Sequence, residues 1–231
     1  MRPNSKRAKF AIISLYAIIV GAFLYSLRSV ATIYIINKSV NGGGITLNEL
    51  ESISIMSIST VVIHTSTYLV CTVFFILWFT RAYRNIQVLL PKSKFHYKPW
   101  AAVVCWFIPI WNLFGPYNIA SNLFDKTERY LVNEERMNLR PQYDVVKGCW
   151  WALWIMSSIV IRMSQHYTEG NPFSFIGPIA TLIGFSISIL CAIFAVKMIR
   201  NYQEMETLIL SSDGSAIDYK LSNDDLLDSG I

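Results

Sequence analysis

Few side chains able to do chemistry lie within the apolar stretches of this chain, and most polar ones gather at the stretch ends. His64 is the only histidine inside an apolar run; His96 and His166 fall between runs. An imidazole among apolar residues is either a proton- or ligand-responsive group or a neutral ring making one interhelical hydrogen bond. No Asp or Glu shares these runs to partner it, which leaves the neutral ring as the simpler reading. Cys71, Cys105, Cys149 and Cys191 lie in four different runs and form no C-x-x-C pair, so they read as small apolar packers. G-x-S-x-G, H-E-x-x-H, the phosphate-binding loop and the dinucleotide glycine pattern are all missing from the sequence. No catalytic residue, metal or cofactor is expected.

A second polar set ends the second apolar run and punctuates the third. Arg81, Arg84 and Asn85 close one helix, and Pro109, Asn112, Pro116 and Tyr117 interrupt the next segment. A proline removes a helical donor and leaves carbonyls without partners. Guanidinium and amide groups can supply the missing donors. The broken segment is therefore expected to pack on the Arg81/Asn85 face, forming a structural motif or a small cytoplasm-facing pocket for an anionic headgroup or solute.

The elements that must position these groups are long and apolar. Five stretches, near 10–36, 55–79, 100–119, 145–161 and 173–196, fill most of the 231 residues. About 20 apolar residues in a helix span a bilayer. Charged residues make up 15% of the chain, against about 25% in soluble domains. Lipid is thus the expected solvent, and the lipid bilayer the first expected partner. The first run is too long for a cleavable leader and reads as a retained helix. Residues 1–201 carry 19 Lys/Arg and 8 Asp/Glu, whereas residues 202–231 carry one Lys and 7 acids. The basic residues are spread over membrane-flanking loops rather than gathered in one patch, which argues against nucleic acid.

Lys and Arg mark cytoplasmic flanks. They crowd the N-terminus, the second and third loops and the flank after the last run, which places both termini in the cytoplasm at the cell membrane. That pattern requires the proline-broken stretch to enter and leave on one side, as a re-entrant hairpin. The alternative is a kinked fifth span.

Periodicity assigns faces. Thr60, His64, Thr67, Cys71, Phe74, Trp78, Arg81 and Asn85 recur by fours and threes, a stripe expected to face other helices. Gly177, Thr181, Gly184, Ser188, Cys191 and Ala195 form a small-residue packing seam, either internal or for a homo-oligomer. Trp150, Trp151 and Trp154, beside Lys147, read as an interfacial aromatic anchor. The stretch 118–139 reads as an interfacial amphipathic helix. The acidic tail reads as disordered and as a site for a protein partner.

The ordered motifs at 75–85, 100–117 and 148–154 resemble the bacterial membrane proteins of domain of unknown function 4328, over about residues 55–200. The resemblance implies an integral membrane domain without established activity. It brings no catalytic residues, and it marks Arg81, Arg84, Asn85, Pro109, Asn112, Pro116 and Tyr117 as matching motif positions. The stretch 118–147 is long for that family, and the acidic tail lies outside it.

The reading is an all-α membrane protein: four spanning helices plus one proline-broken segment in a polytopic domain, 1–201, followed by a cytoplasmic tail, 202–231. Its expected role is non-enzymatic, through helix packing and partner or lipid contact. A small transporter or channel is the main alternative; a membrane-embedded enzyme has less behind it.

Overall fold

A computed structural model describes residues 3–138, 142–171 and 174–211. The regular structure among the described residues is all helical, with no strand. The helices are α1 (Ser5–Val40), α2 (Leu47–Leu89), α3 (Ala101–Val104), α4 (Pro109–Asn112), α5 (Gly115–Asn133), α6 (Gln142–Gly170) and α7 (Ile176–Leu210). Four of them, α1, α2, α6 and α7, are long and apolar enough to cross a membrane. At 1.5 Å per residue the 29 residues of α6 extend about 44 Å, beyond the roughly 30 Å hydrocarbon layer. Each long helix therefore has room to continue past its apolar run.

α7 does so with a consequence for the expected tail. Residues 202–210 are helical, and Tyr202, Met205 and Ile209 are buried. The tail expected to begin at residue 202 therefore starts no earlier than Ser211, because an apolar 3–4 repeat holds the last turns to the protein. Residues 212–231 lie outside the described residues.

The third apolar stretch contains no spanning helix. Its first two helices hold four residues each, α5 begins at Gly115, and both prolines sit at helix starts, where no donor is needed. The chain turns back on itself: the Trp100 and Trp111 rings lie 6.3 Å apart. A Cβ on Gly115 would fall 2.9 Å from Cys105 Cβ and 2.6 Å from the Trp111 ring, so the close return depends on a residue without a side chain.

The chain forms two compact units. Among the described residues the first comprises 3–10, 75–138, 142–147 and 197–211. Its core joins Trp78, Phe79 and Tyr83 of α2, Leu123 and Phe124 of α5, and Tyr202 of α7, all buried. Phe124 touches Tyr143 and Tyr202, with ring centroids 6.0 and 5.7 Å away. The amphipathic α5 thus turns its apolar side, with Ile119, Leu123, Phe124 and Leu131, to protein. Its end is a Schellman turn: Arg136 N–H reaches Leu131 O at 2.9 Å, and Glu135 takes a φ of 56°.

The second unit comprises residues 11–74 and 148–196. Its α1–α2 turn closes through Gly42, with φ 77°, and through a capping box. Glu49 accepts from Thr46 N–H, and Thr46 Oγ1 accepts from Glu49 N–H. Lys38 Nζ pairs with Glu49 at 2.7 Å. That ammonium first, and Thr46 second, hold the Glu49 carboxyl down at about 2.

Candidate functional site

The most chemically loaded cluster sits in the first unit, where α2 meets the end of α7. Val196 closes the last apolar run, and Glu206 lies ten residues further along the helix, about 15 Å beyond it. Its side chain is only 4% exposed. Asn85 Nδ2 donates to Glu206 Oε1 at 2.9 Å, a buried bond. Burial pushes the Glu206 carboxyl up to about 7, while the Asn85 bond and the Arg81 charge pull against it. An amide carries both a donor and an acceptor, so Asn85 can serve either protonation state of the acid.

The surroundings fix this pair. Tyr202, one turn earlier on α7, donates its hydroxyl to Ala82 O at 3.4 Å and meets the Trp78 ring edge-on at 6.1 Å. Asn4, just before α1, donates Nδ2 to Trp78 O at 3.3 Å, and Arg7 donates to Leu77 O at 3.2 Å. Asn4 Oδ1, Trp78 Nε1 and Asn201 Nδ2 are buried without a hydrogen-bond partner among the described residues. Each is a polar atom that a small polar molecule or water would satisfy.

The sequence motif is divided by the structure. Asn85 bonds Glu206, and the Arg81 charge acts on the same carboxyl. The broken segment closes locally, with Asn112 N–H on Ile108 O at 2.7 Å and Phe114 N–H on Trp111 O at 3.2 Å. Short turns supply donors near the prolines. Arg84 and Pro109 are exposed, Pro116 is buried at the start of α5, and Asn112 and Tyr117 are half-buried. Glu206 was hidden from sequence reasoning by the acidic composition around it. The signal that would have found it is the continuing repeat Met198, Tyr202, Met205, Ile209, which keeps α7 helical past its charges.

In the second unit, His64 is half-buried within an aromatic set. Its ring lies 5.4 Å from Tyr25, 5.0 Å from Phe185 and 6.4 Å from Tyr68. Gly21 makes the room, since a Cβ there would stand 3.1 Å from His64 Nδ1. Nδ1 has no hydrogen-bond partner among the described residues, so the expected interhelical bond from that atom is not present. The stripe on α2 does turn inward: Thr60, Cys71, Trp78 and Asn85 are buried, while Val62, Leu69 and Val73 are exposed.

The small-residue seam is internal. Ser164 on α6 donates to Gly177 O at 2.9 Å and shares a hydrogen bond with Thr181 Oγ1. A Cβ on Gly184 would come within 2.8 Å of Ile161 Cγ1 and 3.3 Å of Ile161 N. Ser188 is half-buried in the same row. Trp150 and Trp151 differ from the expected anchor: both are buried, and Cys191 Sγ approaches Trp150 O at 3.5 Å. Of the three rings only Trp154 is half-exposed, stacked on Trp151 at 4.9 Å. In the first unit Lys147 is 2% exposed and ion-paired to Asp125 at 3.0 Å and Asp144 at 2.8 Å. Its charge is met by carboxylates.

No group of three or more His, Cys, Asp or Glu capable of holding a metal ion occurs among the described residues. Four long apolar helices with a broken segment between the second and third define a multi-pass, all-α membrane protein. More particularly, residues 44–204 match the family described as Domain of unknown function (DUF4328), and the chain belongs to that family. No curated protein and no solved structure matches it. The family region begins at the α1–α2 turn and ends two residues before Glu206, so Asn85 lies within it and the acid beyond it.

Proposed function

We propose that this chain is a non-enzymatic protein of the cell membrane that acts through helix packing and through contact with lipid or a partner protein. Both termini lie in the cytoplasm in this reading, and the broken segment returns without crossing. The observation that carries it is where the side chains at the end of α2 go: Trp78, Tyr83 and Asn85 are buried, in ring contacts or hydrogen bonds that tie α2 to its neighbours. Groups spent on packing specify a shape, and a shape acts by contact. The test is affinity purification of the full chain from membranes, compared with a form lacking residues 213–231, which leaves the folded end of α7 intact. Loss of one defined co-purifying protein on truncation supports a partner role for the tail. An unchanged set of proteins removes that role.

A second reading, a small transporter or channel, is favoured by one observation. Glu206 is a buried acid on an amide, of the kind that solute- and proton-coupled sites use. Flux of a solute or of protons in proteoliposomes that vanishes in Glu206→Gln supports it. Flux indistinguishable from empty vesicles counts against it.

A further inference from the structure

The loop 91–100 joins α2 to the broken segment, and its side chains alternate. Lys92, Lys94, His96 and Lys98 are exposed, whereas Ser93, Phe95, Tyr97 and Pro99 are less so. The inward residues are pinned. Tyr97 O accepts from Tyr83 Oη at 3.2 Å and from Gln87 Nε2 at 2.8 Å. Phe95 packs edge-on to Tyr83 at 6.0 Å, and Lys126 Nζ stands over its ring at 5.7 Å. Tyr97 also meets Trp111 at 6.0 Å. Anchoring Phe95 and Tyr97 to the end of α2 leaves the three lysines and one histidine between and beside them outward.

The segment that follows presents the opposite chemistry. Ile110 is 76% exposed and Phe107 71%, and Trp100, Ile108, Leu113 and Phe114 are exposed beside them. In the same unit Ile119, Leu123, Phe124 and Leu131 of α5 are buried, so the apolar ridge is not continued along that helix. A contiguous exposed apolar patch marks a contact surface, and one bordered by cations matches the boundary between acyl chains and anionic headgroups. Trp100 stands at the join of the two zones, the place an amphipathic ring takes at a membrane surface.

We propose that residues 91–114 form a lipid-binding wedge: the ridge from Phe107 to Phe114 enters one leaflet, and Lys92, Lys94 and Lys98 hold the headgroups of anionic lipids around it. This deepens the lipid-contact part of the function proposed above and names the lipid class. Neutral lipid lacks the charge that the row of lysines answers, and a protein partner would leave the ridge without the continuous hydrocarbon it fits.

The test uses the full chain reconstituted in mixed bilayers, with spin-labelled phosphatidylglycerol and phosphatidylcholine as probes. The wild type is expected to prefer phosphatidylglycerol, and Lys92→Gln/Lys94→Gln/Lys98→Gln to weaken that preference by about fivefold or more. A control carrying Lys6→Gln/Lys9→Gln/Lys197→Gln, all exposed elsewhere, is expected to keep most of it. Equal loss in both variants, or none in the first, overturns the headgroup site. A nitroxide at Ile110→Cys is expected to collide more with oxygen than with a water-soluble nickel chelate; the reverse overturns insertion of the ridge. Neither result depends on the tail or on solute flux, so this inference and the function proposed above can fail separately.

Discussion

Asn85 on α2 and Glu206 on α7 stand 121 positions apart in sequence and 2.9 Å apart in the fold, joined by a buried hydrogen bond from amide to carboxyl. That bond ties the end of α7 to the helix carrying Trp78 and Tyr83, within the family region. It also makes the attachment sensitive to protons.

The sign follows from the raised carboxyl. Below 4.5, its ordinary value, docked and undocked forms of the α7 end both hold the proton, and docking is strongest. Between 4.5 and about 7 only the docked form keeps it, so docking weakens as pH rises, and above 7 the loss is complete. The full span amounts to ~3 kcal/mol. Arg81 on α2 and Tyr202 on α7 are the titratable or charged groups that act on this carboxyl. Amide hydrogen exchange over residues 203–210, corrected for its intrinsic pH dependence, should accelerate between pH 5 and 8. Glu206→Gln should flatten that profile, and an unaltered slope in the variant would refute the assignment.

Lys147 illustrates a buried cation that depends on its partners. Replacing both Asp125 and Asp144 by Ala leaves the ammonium without its carboxylates and should cost about 1–3 kcal/mol, because the surviving charge stays desolvated. Lys147→Met, which keeps the stem packed on Phe124, should cost less. Thermal unfolding in detergent of the two forms checks the order, and a more stable double Asp variant would contradict it.

The α6–α7 seam sets a steric test. Gly184→Leu places a branched side chain where a Cβ alone already meets Ile161, and should destabilise by about 1–3 kcal/mol. Gly170→Ala, whose Cβ would meet nothing within 4 Å, serves as the control. Equal melting temperatures for Gly184→Leu and wild type would remove the seam from the account.

Glu135 holds a left-handed conformation at the end of α5 and is exposed. Glycine takes that conformation without the Cβ penalty, so Glu135→Gly should stabilise by about 0.5–1 kcal/mol. A fall in the melting temperature would show that this turn is not the end of α5 in solution.

Much of the fold was legible because lipid-scale apolar runs and the 3–4 repeat are local signals. Thr60, Cys71, Trp78 and Asn85 face inward as their spacing implies. Gly177 and Gly184 pack on α6 as small residues should. The misreadings came from composition overriding pattern. Trp150 and Trp151 lie near a helix end beside a lysine, which resembles an interfacial belt, yet α7 and the rest of the second unit bury them. Glu206 sits in acidic sequence: the repeat around it keeps α7 helical, but its partner on α2, far away in the chain, has no local mark. Long-range pairs such as Asn85 with Glu206, or Lys147 with Asp125, have no local signature.

The most direct test of the central claim is the sidedness of the chain on either flank of the broken segment. Lys94→Cys and Arg129→Cys, both at exposed positions before and after it, are treated with a membrane-impermeant thiol reagent in sealed vesicles of known orientation. Four crossings and a returning segment require both cysteines to react from the same, cytoplasmic, side. Reaction of the two from opposite faces would mean that the proline-broken stretch crosses, and would contradict the account.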